Sequence, residues 1–147
     1  MLGRRELSEV QVRQRLARRG HAEAEIDSAV ARLKEERAID DARVAAAIAR
    51  TQVGDKRRGR LRVTRQIQSA GITPSVARQA VDSLFQSVDA AALLESALAK
   101  RLRGRDRAAD PREFRRLYRY LITQGFEPDR VMAALEKRRP VSDDQSG

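Results

Sequence analysis

The chain has 147 residues, no cysteine, one histidine and a formal net charge of +10 at pH 7. The lack of cysteine excludes disulfide bonds and thiolate-bound zinc, and a single histidine argues against a histidine-based metal site or catalytic triad. No segment is long and apolar enough to span a membrane, and charges at Arg4, Arg5 and Glu6 stand where a signal peptide would be apolar. We therefore expect a soluble cytoplasmic protein.

The first predicted helix begins at a capping box, in which Ser8 stands three residues before Gln11. Gly20 is predicted to end this helix in a left-handed conformation and to reverse the chain into a second helix. A third helix is predicted to open at residues 39–41 and to run through residues 45–50, before a charged connector over residues 51–59.

The same unit is repeated around two further glycines: Gly71 follows Gly20 by 51 residues, and Gly125 follows Gly71 by 54. Apolar residues stand eight and four positions before each glycine, which places them on one helix face. These residues are Val12 and Leu16, Val63 and Ile67, and Leu117 and Leu121.

The residues after each glycine also correspond between the copies. Thr73-Pro74 and Glu127-Pro128 are predicted to be helix starts, with proline at the first helical position. The apolar residue before each cap is predicted to form a hydrophobic staple with the residue five positions later. The predicted pairs are His21 with Ile26, Ile72 with Ala77, and Phe126 with Val131, so the only histidine is interpreted as structural.

The remaining helices complete the repeats. One is predicted from residues 87–89 towards Arg101, and another begins at Asp110-Pro111 after a charged connector over residues 102–110. The fold class is therefore all-α: an elongated tandem array of three three-helix repeats, the last of which has two helices, making eight helices in all. The predicted boundaries are residues 1–53, 54–104 and 105–140, with a disordered tail at 141–147.

Basic residues form the candidate binding surface. A helical projection places Arg58, Arg62 and Arg65 on one side, and it divides residues 111–124 into an apolar face and an arginine face. Such stripes and a large positive charge favour a polyanionic partner. The candidate contact residues are Lys56, Arg57, Arg58, Arg62, Arg65, Arg101, Arg103, Arg105, Arg112, Arg115, Arg116 and Arg119.

No catalytic, cofactor or metal site is predicted. The adjacent acids Asp40 and Asp41 stand at a helix start, where capping and the helix dipole explain them. The glycines lack the spacing of a phosphate-binding loop, and no lysine followed by serine or threonine comes after them. We therefore expect a protein that is not an enzyme.

The chain resembles the RecX family of recombination regulators in three stretches: residues 7–16, residues 38–45 and residues 66–72. The resemblance covers about residues 7–136. It implies a monomer that binds in the groove of the RecA–single-stranded DNA filament and limits its assembly, ATP hydrolysis, strand exchange and stimulation of repressor self-cleavage. The protein would contact single-stranded DNA as part of the RecA filament. Two features depart from the family pattern: Val44 replaces an aromatic residue, and the chain begins almost at the first repeat.

Two alternatives belong to other classes of protein. One is a helix-turn-helix DNA-binding regulator, although the helices after Gly20 and Gly125 begin with acidic or neutral residues where a recognition helix presents donors. The other is a helical-repeat scaffold for a different acidic protein. Neither alternative involves a membrane.

Overall fold

The computed structural model describes residues 7–36 and 39–141. These residues form eight helices and no strand, which confirms the all-α class and the three, three and two helices of the tandem repeats. The predicted disordered tail falls almost entirely outside the described residues. The helices are α1 (Glu9–Arg18), α2 (Glu23–Glu35), α3 (Asp41–Gly54), α4 (Arg60–Ser69), α5 (Pro74–Leu84), α6 (Ala90–Leu102), α7 (Pro111–Thr123) and α8 (Pro128–Glu136).

The helix starts follow the local sequence. Ser8 and Gln11 form the predicted capping box at α1, where each side chain accepts a hydrogen bond from the other residue's backbone N–H. Asp110 caps α7 by accepting from the Glu113 N–H at 2.7 Å, and Asp89 caps α6 in the same way. These caps satisfy N–H groups that have no partner inside the helix.

The repeat glycines have the predicted left-handed backbone. Gly20, Gly71 and Gly125 have φ angles of +89°, +85° and +99°, and each stands two residues after the last residue of the first helix of its repeat. Two other predictions differ from the structure: the length of the connector after α3 and the hydrophobic staple at His21. The connector predicted at residues 51–59 is shorter because α3 continues to Gly54 and buries Gln52 and Val53.

The staple prediction for His21 is wrong. Ile72 and Phe126 are 3% and 4% exposed, whereas His21, at the corresponding position, is exposed. The difference follows from the packing at each turn, because a Cβ placed on Gly20 would meet no described residue within 4 Å. Leu16 differs in the same way, since it is half-buried whereas Ile67 and Leu121 are fully buried.

The chain packs into two compact units. The first contains Met1–Thr51 and Thr64–Leu84. Part of its core is a cluster of Ile26, Val30 and Ile39, on which the half-buried side chains of α1 pack. Arg13 ties α1 to α2 through an ion pair with Asp27 at 2.7 Å.

The second unit contains Gln52–Val63 and Phe85–Gly147. Its core joins α6, α7 and α8 through leucines at the helix interfaces, among them Leu98, Leu121 and Leu135, all fully buried. The apolar positions repeat every three or four residues, so one face of each helix enters this core. The opposite faces carry most of the charged side chains.

The start of the first helix of a repeat lies against the glycine turn of the next repeat. In the second unit, the backbone N–H groups of Gly59 and Leu61 donate to the carbonyls of Gln124 and Gly125, at 2.8 and 3.0 Å. A Cβ on Gly59 would come within 2.6 Å of the Gly125 backbone. The two backbones therefore approach closely, and the α7–α8 turn supplies the acceptors that the start of α4 lacks.

The first unit contains the corresponding contact. The Ser8 hydroxyl, which is fully buried, donates to the Ala70 carbonyl at 2.5 Å, and a Cβ on Gly71 would come within 2.5 Å of the Val10 Cβ. Ser8 and Gly59 stand at the same distance before their repeat glycines. The contact between helix start and glycine turn is thus made twice with the same register.

Candidate polyanion-binding surface

The second unit holds 18 of the 31 basic residues and 11 of the 21 acidic ones. Eleven of the twelve basic residues predicted to bind a partner belong to it. The exception is Arg65, which is exposed on the part of α4 that belongs to the first unit. The excess of positive charge in one compact unit makes that unit the better candidate for contact with a polyanion.

Helix α7 has the predicted division into two faces. Leu117 and Leu121 are buried in the core of the second unit, and Phe114 and Tyr118 pack against it. The four predicted arginines on the other side are all exposed: Arg112, Arg115, Arg116 and Arg119. Long cationic side chains on the outer face of a rigid helix can reach phosphate or carboxylate groups without disturbing the core.

The segment before α4 differs from the predicted helical stripe. Helix α4 begins at Arg60, so Arg58 precedes it, and Arg57 adopts a left-handed φ of +50°. Arg58 is half-buried and donates from Nη1 to Gln52 Oε1 at 2.8 Å. The reason is the close contact of Gly59 with the α7–α8 turn, which starts the helix only after that glycine. Lys56 is exposed beside this segment.

Arg62, in the first turn of α4, is half-buried and partly engaged within the protein. Its Nη1 donates to the Thr123 carbonyl and to Gln124 Oε1, both at 3.0 Å. The Gln124 Nε2 in turn donates to the Tyr120 hydroxyl at 3.1 Å. The Arg101 guanidinium lies 3.7 Å from the centre of the Tyr120 ring, a cation–π contact.

Arg105 and Arg103 lie in the segment after α6 and have different surroundings. Arg105 forms a bidentate ion pair with Glu113, with both N–O distances at 2.7 Å. This pair, together with the Ala109 N–H, lowers the pKa of Glu113 to about 2. The Glu113 carboxylate accepts from the Ala109 N–H at 2.7 Å, just before the start of α7. Arg103 is exposed and has a left-handed φ of +52°.

Sequence reasoning missed the two glutamines that connect these arginines, Gln52 and Gln124. Their side chains accept from Arg58 and Arg62, respectively. Both residues were assigned to helix ends or connectors, where a polar residue needs no special explanation. Only the packing of α4 against the α7–α8 turn brings them into the basic surface.

Within residues 7–36 and 39–141, no group of three or more histidine, aspartate or glutamate side chains is placed to hold a metal ion. No helix in that part of the chain combines the length and apolar character of a membrane span. A pocket of about 310 Å³ in the second unit is lined by two arginines and two acidic residues, whose charges balance: Arg60, Arg130, Asp89 and Glu127.

Comparison with known proteins identifies the class. Residues 1–33 match the protein family that is described as "RecX, first three-helix domain". A regulatory protein RecX from Chromohalobacter salexigens is 33% identical over 92% of this chain and 86% of the relative, and one from Syntrophotalea carbinolica is 31% identical over 86% and 83%.

Solved structures show the same fold. The crystal structure of RecX from Lactobacillus salivarius superposes with a TM-score of 0.70 and 20% identity over 88% of this chain and 84% of that one. A second structure, of a regulatory protein RecX, gives a TM-score of 0.72 and 21% identity, and the chain spans 63% of its length.

The helices therefore define an all-helical tandem-repeat protein, and the relatives that it resembles are regulatory proteins. The chain belongs to the RecX family of regulatory proteins.

Proposed function

We propose that the chain is a non-enzymatic regulator that binds the RecA–single-stranded DNA filament and mostly inhibits it. The affected activities are filament assembly, ATP hydrolysis, strand exchange and the stimulation of repressor self-cleavage. The observation that carries the proposal is the sequence identity of 33% to a regulatory protein RecX over nearly the whole chain. We further propose that the protein acts as a cytoplasmic monomer and uses no cofactor.

The exposed arginines of α7 support this proposal physically. The exposed side of α7 points away from the core of the second unit and carries Arg112, Arg115, Arg116 and Arg119. Arg116 also helps electrostatically to lower the pKa of Glu113. Guanidinium groups bind both phosphate and carboxylate oxygens in bidentate geometry. A filament composed of protein and DNA offers both groups, so this helix face is the proposed contact.

The proposal is tested by the rate of ATP hydrolysis by RecA on single-stranded DNA. The wild-type protein is expected to lower this rate. The double variant Arg115→Gln/Arg119→Gln removes two exposed charges from α7 and is expected to inhibit at least several-fold less at equal concentration. The matched control is Arg130→Gln/Arg139→Gln, which removes the same charge from residues of the same unit that are already paired with Glu127 and Glu136.

Two results would contradict the proposal or its proposed surface. If the wild-type protein leaves the hydrolysis rate unchanged, the regulatory function fails. If both double variants inhibit equally, the outer face of α7 is not the contact. Parallel binding measurements with duplex DNA identify the alternative classes, because a helix-turn-helix regulator binds duplex without RecA, whereas a scaffold for another acidic protein binds neither DNA nor filament.

A further inference from the structure

Three arginines of the second unit interact with Tyr120, one directly, one through a glutamine and one electrostatically. Arg62 reaches the Tyr120 hydroxyl through Gln124, and Arg101 lies over the Tyr120 ring. Arg58 interacts electrostatically with both Arg62 and Tyr120. The described part of the chain shows no carboxylate bonded to any of these three guanidinium groups, unlike Arg105, Arg130, Arg138 and Arg139.

Arg58 is held in this cluster at a cost in free energy. Burial lowers its pKa, and repulsion by Arg62 lowers it further, with Tyr120 acting in the opposite direction. Its Nε atom is buried and has no hydrogen-bond partner among residues 7–36 and 39–141. A buried donor on a cation that lacks a partner is unfavourable, and a nearby anion relieves both the desolvation and the repulsion between like charges.

The donors approach from two elements. Arg58 and Arg62 flank the start of α4, whereas Arg101 lies in the last turn of α6, on the ring of Tyr120. Donors from different directions suit the tetrahedral oxygens of a phosphate. Further cations neighbour these arginines in the sequence, at Lys56 and Arg57 and at Lys100 and Arg103. Such continuity matches the regular charge of a nucleic-acid backbone better than an isolated carboxylate.

We propose that Arg58, Arg62 and Arg101, arranged around Tyr120, form a binding site for a backbone phosphate of single-stranded DNA. The inference deepens the proposed function, since it assigns the DNA contact within the filament to one site. Arg101 covers one face of the Tyr120 ring, so the tyrosine positions the cations instead of stacking on a base through that face.

The first test measures the affinity for a labelled oligothymidylate, in the absence of RecA, over a series of salt concentrations. The variant is Arg58→Gln/Arg101→Gln, which spares the structural bonds of Arg62. Each lost phosphate contact reduces the slope of log affinity against log salt by about 0.7, so the variant is expected to reduce it by about 1.4. The control Arg130→Gln/Arg139→Gln loses the same charge and should keep the wild-type slope. Equal slopes for the two variants would overturn the proposal.

The second test does not depend on the folding of that double variant. The chain has no tryptophan and two tyrosines, so Tyr118→Phe leaves Tyr120 as the only tyrosine. Oligothymidylate and inorganic phosphate, added at constant ionic strength, are expected to change the emission of Tyr120 in this protein. When Arg101→Gln is introduced into the Tyr118→Phe protein, the change in Tyr120 emission should be abolished. If the emission stays constant while the oligonucleotide binds, the assigned site is wrong.

The outcomes separate this inference from the proposed function. If wild-type protein does not inhibit RecA but shows the expected slope and emission changes, the phosphate site stands and the regulatory function fails. If Arg58→Gln/Arg101→Gln loses inhibition of RecA yet keeps the wild-type salt slope on oligothymidylate, the cluster contacts acidic protein groups. That result overturns the phosphate assignment while the regulatory function stands.

Discussion

Gly20 and Gly125 have nearly the same left-handed backbone but different surroundings. A Cβ on Gly125 would clash with the backbone and Cβ of Arg62, whereas a Cβ on Gly20 would meet nothing within 4 Å in the part of the chain that the structure describes. The backbone conformation alone disfavours any other residue at both positions. The comparison of the two therefore separates the effect of conformation from the effect of packing.

Gly20→Ala is expected to lower the free energy of unfolding by about 1 kcal/mol, from the left-handed backbone alone. Gly125→Ala adds a clash with α4 and should lower it by about 2–4 kcal/mol. Urea unfolding followed by circular dichroism measures both values. Equal losses would show that the contact between Gly125 and Arg62 contributes nothing to stability.

Glu113 makes stability depend on pH. Its pKa is about 2 in the folded protein, below the ordinary value of 4.5, because of the Arg105 ion pair and the Ala109 N–H. A carboxyl group with a lowered pKa stabilises the fold above its unfolded pKa, and this stabilisation is lost as the pH falls from about 4.5 towards 2.

Glu113→Gln should therefore lower the free energy of unfolding by about 1 kcal/mol at pH 7, and the difference from wild type should disappear near the folded pKa. Unfolding by urea at a series of pH values measures this difference. The exposed pair of Glu136 and Arg139 provides the comparison, because Glu136→Gln is expected to have a smaller effect. A difference for Glu113→Gln that persists unchanged at the lowest pH would contradict this account.

At the scale of the helix, the starts of α1 and α4 have two roles. Each must satisfy its own N–H groups, and each also makes hydrogen bonds to the glycine turn of the following repeat. Ser8 performs both roles with one hydroxyl, which accepts from the Gln11 N–H and donates to the Ala70 carbonyl. Gly59 has no side chain, so at α4 the backbones themselves come together.

Ser8→Ala should lower the free energy of unfolding by about 2–3 kcal/mol, since it removes a cap and leaves a buried carbonyl without its donor. Thr73→Ala is the control, because Thr73 caps α5 with a longer hydrogen bond of 3.4 Å at an exposed position. Its expected loss is about 0.5–1 kcal/mol. Thermal and urea unfolding of both variants check the difference, and equal losses would exclude a role for the Ala70 contact.

Local sequence determines most helix boundaries, and these were predictable. Asp89, Asp110 and Thr73 cap helices where the sequence places them, and the repeat glycines end the helices that precede them. The end of α3 was not predictable, because Gln52 and Val53 are helical in a segment whose local sequence indicates a connector. Their burial depends on residues far along the chain, which periodicity does not show.

At the scale of the molecule, the two compact units are interleaved in sequence. Residues 52–63 belong to the second unit although residues 64–84 return to the first. The predicted repeat boundaries at 53 and 104 remain predictions, since compact packing and sequence repeats divide the chain differently. The same interleaving explains why much of the candidate site could not be predicted from the sequence. Arg58 and Arg62 are far from Tyr120 along the chain, and only the folding of the second unit brings them near it.

A fragment of residues 1–104 keeps all of the first unit but removes the α7–α8 turn. The amides of Gly59 and Leu61 then lose their acceptors at Gln124 and Gly125. Hydrogen exchange at these two amides is expected to be about tenfold faster or more in the fragment. The Ala77 amide, which donates to the Thr73 carbonyl in the first unit, should exchange at the same rate in both proteins. Unchanged protection of Gly59 and Leu61 would contradict this expectation.

The contact between helix start and glycine turn limits how such a protein changes in length during evolution. Helix α4 has such a contact at each end, so insertion or deletion of one or two codons between Gly59 and the end of α4 would shift the Gly59 contact against the Gly71 contact and break bonds described here. Duplication or loss of an entire repeat leaves the joining surfaces unaltered. Size variation within this architecture should therefore occur in steps of about one repeat, with smaller differences confined to the connectors.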